Sequence, residues 1–192
     1  MPCDGETMTV TDARYRAPAR LFHWATAAVV LLMIPAGFTM VQEGLSRSLQ
    51  NTLFIFHKNV GVALLLIVAA RRVYRMVRPA PPLPSHLPDW QRRVARATHV
   101  LLYALLLVMP LAGYIRVRAG GFPIEALDAM GIPSLVPRSE ALASAAQTVH
   151  FLGAWTISAL IALHVAAALY HGLVLRDGVF GRMWPPVGRG SG

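Results

Sequence analysis

The chain has 192 residues, of which 55% are hydrophobic and only 14% are charged, a balance far more apolar than that of a soluble domain of this size. A net charge of +9 would favour nucleic-acid binding in a soluble protein. Here the basic residues lie between apolar runs, so we interpret them as a membrane-topology signal and expect no nucleic-acid partner. The single cysteine, Cys3, excludes an internal disulfide, covalent haem attachment and iron–sulfur clusters.

Four apolar stretches are long enough to cross a hydrocarbon core of about 30 Å as helices, which needs roughly 20 residues each. Alternation with a period of two residues is absent, so helices are expected rather than barrel strands. The stretches cover residues 21–41, 53–70, 97–115 and 149–175. The sequence therefore predicts an all-α membrane protein in which residues 1–192 form one domain, a four-helix transmembrane bundle.

The distribution of arginine and lysine predicts the orientation of the bundle. The N-terminal tail, the loop between the second and third spans and the C-terminal tail hold most of the 18 basic residues. The opposite side has only Arg47, Lys58, Arg116, Arg118 and Arg138. Both termini are therefore expected in the cytoplasm. The proline-rich loop at 79–88 should be extended, and residues 116–148 should form a short outer cap with room for a surface helix.

Histidines inside the spans are the main functional signal, because polar side chains are costly in lipid. His150 and His164 are fourteen residues apart, which places them on one helix face and about 21 Å apart in depth. By depth, His57 matches His150 and His23 matches His164. Two facing imidazoles at each level are what a six-coordinate b-type haem needs. Small residues follow these four histidines at a spacing of four: Ala27, Gly61, Ala154 and Ala168.

Other readings of these histidines remain open at this point. They could simply hydrogen-bond between helices. A zinc or transport site usually adds carboxylates or thiolates, which the spans lack, and the same lack disfavours a catalytic triad. By geometry alone, His99 could replace His23 as the partner of His164.

Several motifs together resemble the bacterial cytochrome b561 family, short di-haem cytochromes of the inner membrane. The first span opens with RLFHW and the second with FHKNVG; the third is HVLLYALLLVMPLAGY; the fourth contains VHFLG and LHVAAALYH. The resemblance implies a multi-pass protein of the bacterial inner membrane with two b-type haems. It pairs His23 with His164 on the cytoplasmic side and His57 with His150 outside, and it gives His99 no ligand role.

The resemblance also implies electron exchange with ubiquinone and, for the best-matched subgroup, oxidation of superoxide at the outer face. Lys58, Arg116 and Arg118 could attract a small anion there, although haem propionates or lipid headgroups would explain them equally well. Their predicted role is catalytic. On the inner side, His171 matches a histidine associated with the quinone and could carry protons, or it could be an interfacial histidine that reaches water. Arg20, Arg71 and Arg72 are candidates to pair with the propionates of the inner haem, although a cytoplasmic anchor role is more common for such residues.

The leading hypothesis from the sequence is a di-haem oxidoreductase that passes electrons from an outer donor, such as superoxide, to ubiquinone. One alternative is a cytochrome b subunit docked to a dehydrogenase or hydrogenase, which would add a redox protein as partner. A second alternative is a haem-free structural or transport bundle in the lipid.

Overall fold

The computed structural model describes residues 14–185, so Cys3 lies outside the described residues. The helices are α1 (Ala17–Thr39), α2 (Arg47–Val77), α3 (Asp89–Ala119), α4 (Glu125–Ala129) and α5 (Glu140–Leu169). A π-helical segment, Tyr170–Leu175, continues α5, and a 3-10 turn follows at Phe180–Arg182. Four helices are long and apolar enough to cross a membrane, and residues 14–185 contain no strand. The predicted all-α transmembrane bundle is confirmed.

α2 and α3 extend at both ends beyond the apolar stretches that predicted them, whereas α1 begins earlier than its stretch and ends at Thr39, two residues short of the predicted end. α2 and α3 each have 31 residues, and their additional turns carry the arginines of residues 71–75 and 92–96. Hydropathy detects only the part of a helix that suits lipid, whereas backbone hydrogen bonds continue into the headgroup region. Ser46 and Ser139 cap α2 and α5, because their hydroxyl oxygens accept hydrogen bonds from the backbone N–H groups of Leu49 and Leu142.

Close helix packing follows the chain order. α1 packs on α2, α2 on α3, and α3 on α5. Val30, Leu64 and Val68 are buried together midway along the bundle, and Ile161 packs against them. Ile157, which is 4% exposed, lies seven residues from both His150 and His164. An apolar layer therefore separates the two histidine levels.

The outer surface of the bundle is apolar. Large aliphatic side chains on all four long helices are exposed, among them Leu32, Leu66, Val100 and Leu152. Such a surface requires lipid around it, because exposed apolar patches of this extent are rare on water-soluble monomers. The bundle is therefore a multi-pass membrane protein.

The two ends of the bundle differ in composition. We call one end the basic end; it is formed by residues 14–24, 71–99 and 164–185. We call the other the cap end; it is formed by residues 37–59 and 113–150. At the basic end, the Tyr15 N–H donates to the carbonyl of Arg182, and the Arg182 guanidinium donates to the carbonyl of Pro82 at 2.7 Å. The Trp24 indole N–H donates to the Met183 carbonyl at 2.9 Å. The proline-rich loop and both described ends of the chain are thus joined there.

Candidate functional site

Two pairs of histidines face each other inside the bundle. His57 on α2 faces His150 on α5 at the cap end, with ring centres 6.1 Å apart and ring planes at 77°. His23 on α1 faces His164 on α5 at the basic end, with ring centres 6.2 Å apart and planes at 73°. We call these the cap-end pair and the basic-end pair. α5 supplies one member of each pair.

The ring separations match those of two imidazoles bound to one metal. If each iron–nitrogen bond is about 2.0 Å, like a zinc–imidazole bond, and each ring centre lies about 1.1 Å beyond its nitrogen, the centres of two axial rings are about 6.2 Å apart. Among residues 14–185, no group of three or more His, Cys, Asp or Glu side chains could hold a metal ion. Each facing pair offers two imidazole ligands, the number that a porphyrin-bound iron needs.

The two members of each pair come from helices that are not close neighbours in the bundle. The facing histidines lie on α1 and α5 and on α2 and α5, which are not among the closely packed helix pairs of the described chain. A flat cofactor between two axial ligands requires this spacing. The residues present therefore suit two b-type haems, whose ligands would be His57 with His150 and His23 with His164.

His99 also lies beside His164, with a ring-centre distance of 5.4 Å and planes at 81°. That distance is shorter than two axial imidazoles need, by the same bond lengths. His99 is on α3, which packs directly on α5. Its Nδ1 is 2.6 Å from the carbonyl of Ala95 on its own helix. This arrangement favours His23 over His99 as the partner of His164.

Two glycines on neighbouring helices contact the cap-end pair, and the sequence analysis did not identify them. A Cβ at Gly37 on α1 would lie 2.9 Å from His57 Cε1, and one at Gly113 on α3 would lie 3.2 Å from His150 Cε1. By contrast, Gly61, four residues after His57, would meet only the methyl group of Met33, at 3.6 Å. Gly37 and Gly113 therefore leave space for the imidazole rings of His57 and His150 because they have no side chain.

The Nδ1 atoms of His150 and His23 have different hydrogen-bond partners. His150 Nδ1 lies 3.0 Å from the Met109 carbonyl, so a proton on Nδ1 would be donated there and Nε2 left free for a metal. His23 Nδ1 lies 3.1 Å from Nη2 of Arg71. A guanidinium can only donate, so His23 Nδ1 accepts in this arrangement. If His23 bound iron through Nε2 and kept a proton on Nδ1, its Nδ1 could no longer accept from Arg71. The Arg71 guanidinium would then need another hydrogen-bond acceptor.

The predicted arginines of the basic end lie close to this pair. Arg71 and Arg72 both stack on the Tyr103 ring, with guanidinium carbons 5.1 and 4.9 Å from its centre. Arg20 is 1% exposed on α1, three residues before His23. Of the two stacked arginines, Arg71 contacts His23 through Nη2. The sequence alone does not separate the roles of Arg71 and Arg72.

At the cap end, Lys58 and Asn59 bind α4. The Lys58 ammonium donates to the Glu125 carboxylate at 2.7 Å and to the Pro123 carbonyl at 2.8 Å. The Asn59 side chain donates to Glu125 at 2.9 Å and accepts from the backbone N–H of Ala126 at 2.8 Å. Burial alone would raise the pKa of Glu125, but the hydrogen bonds from Lys58 and Asn59 outweigh it, and the pKa is lowered.

Arg118 binds the other end of α4. Its guanidinium lies 2.6 Å from the Asp128 carboxylate, and this hydrogen bond is the largest cause that lowers the pKa of Asp128. Arg116 is half-buried in the last turn of α3, three residues after Gly113, the glycine beside His150. Of the three basic residues predicted at this end, Lys58 and Arg118 therefore hold the cap, whereas Arg116 lies near the cap-end pair.

His171 lies in the π-helical segment beyond the basic-end pair. Its Nδ1 is 2.6 Å from Oδ2 of Asp177, and each of the two side chains is 15% exposed. The chain ends the π-helix at Arg176 in the left-handed region, with φ at 50°, and so turns Asp177 back toward His171. π-Helical turns often occur at functional sites. Asp177 was not identified from the sequence.

Comparison with known proteins gives concordant matches along most of the chain. The family described as prokaryotic cytochrome b561 matches residues 14–186. Cytochrome b561 homolog 2 of Escherichia coli (strain K12) is 32% identical over 178 residues, covering 92% of this chain and 94% of the relative. Cytochrome b561 homolog 1 of the same strain is 26% identical over 166 residues, with coverages of 85% and 92%. A probable superoxide oxidase CybB of Yersinia pestis is 29% identical over 168 residues, with coverages of 85% and 91%.

Proposed function

The chain belongs to the prokaryotic cytochrome b561 family and is a membrane electron-transfer protein; from this premise we propose that it binds two b-type haems and carries electrons from superoxide at the cap end to ubiquinone at the basic end. The cap end would face the periplasm, and the basic end, with both termini, would face the cytoplasm of a bacterial inner membrane. Similarity to the probable superoxide oxidase supports superoxide as the donor.

The observation that carries the proposal is the pair of ring separations, 6.1 and 6.2 Å, on helices that do not pack closely on each other. Haem iron held in this way would supply reversible one-electron transfer. The chain's own contribution is to orient each imidazole. The carbonyl of Met109 does this for His150, and Gly37 and Gly113 leave space for the rings of the cap-end pair.

The basic residues of the cap end would serve the donor in two ways. Superoxide is a small anion, so a guanidinium near the cap-end pair would favour its approach. Arg116 lies near that pair, three residues after Gly113 on α3. Lys58 and Arg118 would act by holding α4 against the bundle, because their charges are already paired with Glu125 and Asp128.

The electron balance of the proposed reaction is simple. Each superoxide gives up one electron and leaves as dioxygen. Two such electrons and two protons convert one quinone to quinol. At the basic end, Arg71, Arg72 and Arg20 would pair with haem propionates, and His171 would supply protons to the quinone oxygens.

Haem stoichiometry is the first test. Pyridine haemochrome analysis of the purified protein should give two protohaems per chain, and one each for His23→Ala and His150→Ala. His99→Ala should keep two, as should the matched control His86→Ala, whose residue lies in the exposed loop. Two haems in His23→Ala together with one in His99→Ala would assign the ligand to α3 instead. A protein without a Soret band would support a haem-free bundle.

The second test concerns the donor and acceptor. Stopped-flow mixing of the oxidised protein with superoxide should reduce haem, and a water-soluble ubiquinone analogue should then reoxidise it. Haem that superoxide does not reduce would exclude the proposed donor. If the protein instead co-purifies with a large redox subunit that reduces its haem, it is the electron-transfer subunit of a dehydrogenase or hydrogenase.

A further inference from the structure

The hydrogen bond between His171 and Asp177 lies at the end of the bundle where the proposed reaction consumes protons. His171 is seven residues beyond His164, about 10 Å along the helix if the rise stays near 1.5 Å per residue. Nδ1 of His171 is bound to the carboxylate, so the ring is held in one orientation with Nε2 directed away from Asp177. The pair is mostly buried, which strengthens a charged hydrogen bond.

The surroundings of this pair connect it to water on one side. Nε2 of His86, in the proline-rich loop, lies 4.0 Å from Oδ2 of Asp177, the oxygen that also contacts His171. The side chain of His86 is 39% exposed. The second carboxylate oxygen, Oδ1, accepts a hydrogen bond from the backbone N–H of Val179 at 3.2 Å. Asp177 is thus fixed by backbone and side-chain partners between an exposed and a buried histidine.

We propose that Asp177 is a positioning residue that makes His171 the proton donor to the reduced acceptor, with His86 at the water-exposed side of the pair. The inference rests on the proposed quinone reduction. Nε2 of the protonated His171 gives its proton to an oxygen of the quinone, and the remaining Nδ1–H stays bonded to the Asp177 carboxylate. A proton from water then restores the charged ring, so two turnovers supply the two protons of one quinol.

The carboxylate has two effects in this scheme. It holds the proton of the neutral ring on Nδ1, as a carboxylate does for the histidine of a catalytic triad. It also strengthens the hydrogen bond that orients the ring, because a charged acceptor binds an N–H group more tightly than an amide does. The other titratable groups in contact with the pair in residues 14–185 include His86 from the loop and the Tyr170 ring on the same helix, 6.1 Å from His171.

The test is Asp177→Asn in the haem-loaded protein. The amide keeps an oxygen for Nδ1–H or for the Val179 N–H but removes the charge. The reduced protein is mixed with a water-soluble ubiquinone analogue in the stopped-flow, and haem oxidation is followed. We expect a rate about tenfold lower, because the ring is no longer held firmly in the orientation that donates from Nε2. His171→Gln should lower the rate by about 100-fold.

Asp89→Asn is the matched control, because it neutralises a carboxylate at the same end that is 74% exposed and paired with Arg92. Its rate should equal that of the wild type. Asp177→Asn should add no further loss in a His171→Gln background, since both changes act on one proton donor. A wild-type rate in Asp177→Asn, or additive losses in the double variant, would overturn the inference.

A readout independent of turnover separates this inference from the proposed function. The Nδ1–H proton of His171 should give a far-downfield NMR resonance in the oxidised protein, and it should be lost in both Asp177→Asn and His171→Gln. Its persistence in Asp177→Asn would contradict the pairing. If the quinone analogue fails to oxidise the reduced wild-type protein at any pH, the proposed function is wrong at the acceptor, whatever the NMR result.

Discussion

Replacement of Gly37 by alanine should selectively disturb the cap-end pair. The added Cβ would lie 2.9 Å from His57 Cε1, about 0.5 Å short of the 3.4 Å at which ordinary contact begins. Metal–ligand distances tolerate deviations of only about 0.2 Å. The His57 ring must therefore tilt or withdraw, although alanine favours the helix by about 1 kcal/mol over glycine. We expect Gly37→Ala to bind one haem tightly and to lose most of the other.

Alanine at two other glycines, where the added Cβ would meet its neighbour at longer distances, provides graded controls. Gly113→Ala brings a Cβ to 3.2 Å from His150 Cε1, where a shift of a few tenths of an ångström suffices, so partial loss of haem is expected. Gly61→Ala meets the methyl group of Met33 at 3.6 Å, an ordinary contact, and should keep two haems with unchanged or higher thermal stability. Pyridine haemochrome analysis and a potentiometric titration of each variant would measure the occupancy. Full, unperturbed haem occupancy in Gly37→Ala would refute the assigned ring geometry.

Three further predictions concern charge. Arg71→Gln should lower the midpoint potential of one haem by about 90 mV, because one positive charge about 8 Å from the iron is worth roughly 2 kcal/mol at an effective dielectric constant of 20; an unchanged potentiometric titration would contradict this. Arg116→Gln should slow haem reduction by superoxide about two- to fivefold at low salt and weaken its salt dependence, whereas equal salt slopes would exclude steering. The ion pairs of Glu125 and Asp128 have lowered carboxyl pKa values, so they stabilise the cap above the ordinary carboxyl range, near pH 4, and this stabilisation disappears as the pH falls through the lowered values. Limited proteolysis at acid pH should then cut the chain between residues 120 and 138, because the cap is no longer held. The Glu125→Gln variant should be cut in this segment already at neutral pH.

The histidine pairs could be predicted from the sequence because the relevant distances are set by one helix. The spacing of His150 and His164 fixes both face and depth once the span is identified as helical. The sequence geometry leaves the partner of His164 open between His23 and His99, since both lie near the same depth. The structure favours His23 through contacts that no spacing reveals: the ring distances, the packing of α3 on α5 and the bond of His99 to its own helix.

Contacts between distant segments could not be predicted in the same way. Lys58 and Glu125 are 67 residues apart, and no periodic pattern links them. The contact of Gly37 with His57 depends on how closely α1 approaches α2, which composition does not reveal. Asp177 meets His171 because Arg176 adopts a left-handed conformation, which is uncommon for a residue other than glycine.

The continuous helix α5 also constrains how the sequence can change. Because His150 and His164 lie on one uninterrupted α-helix, their separation is a fixed multiple of the helical rise. Inserting or deleting one residue between them would rotate one ring by about 100° relative to the other. Substitutions along this stretch can therefore accumulate, whereas changes in its length cannot, and relatives that keep both centres should keep the same number of residues here.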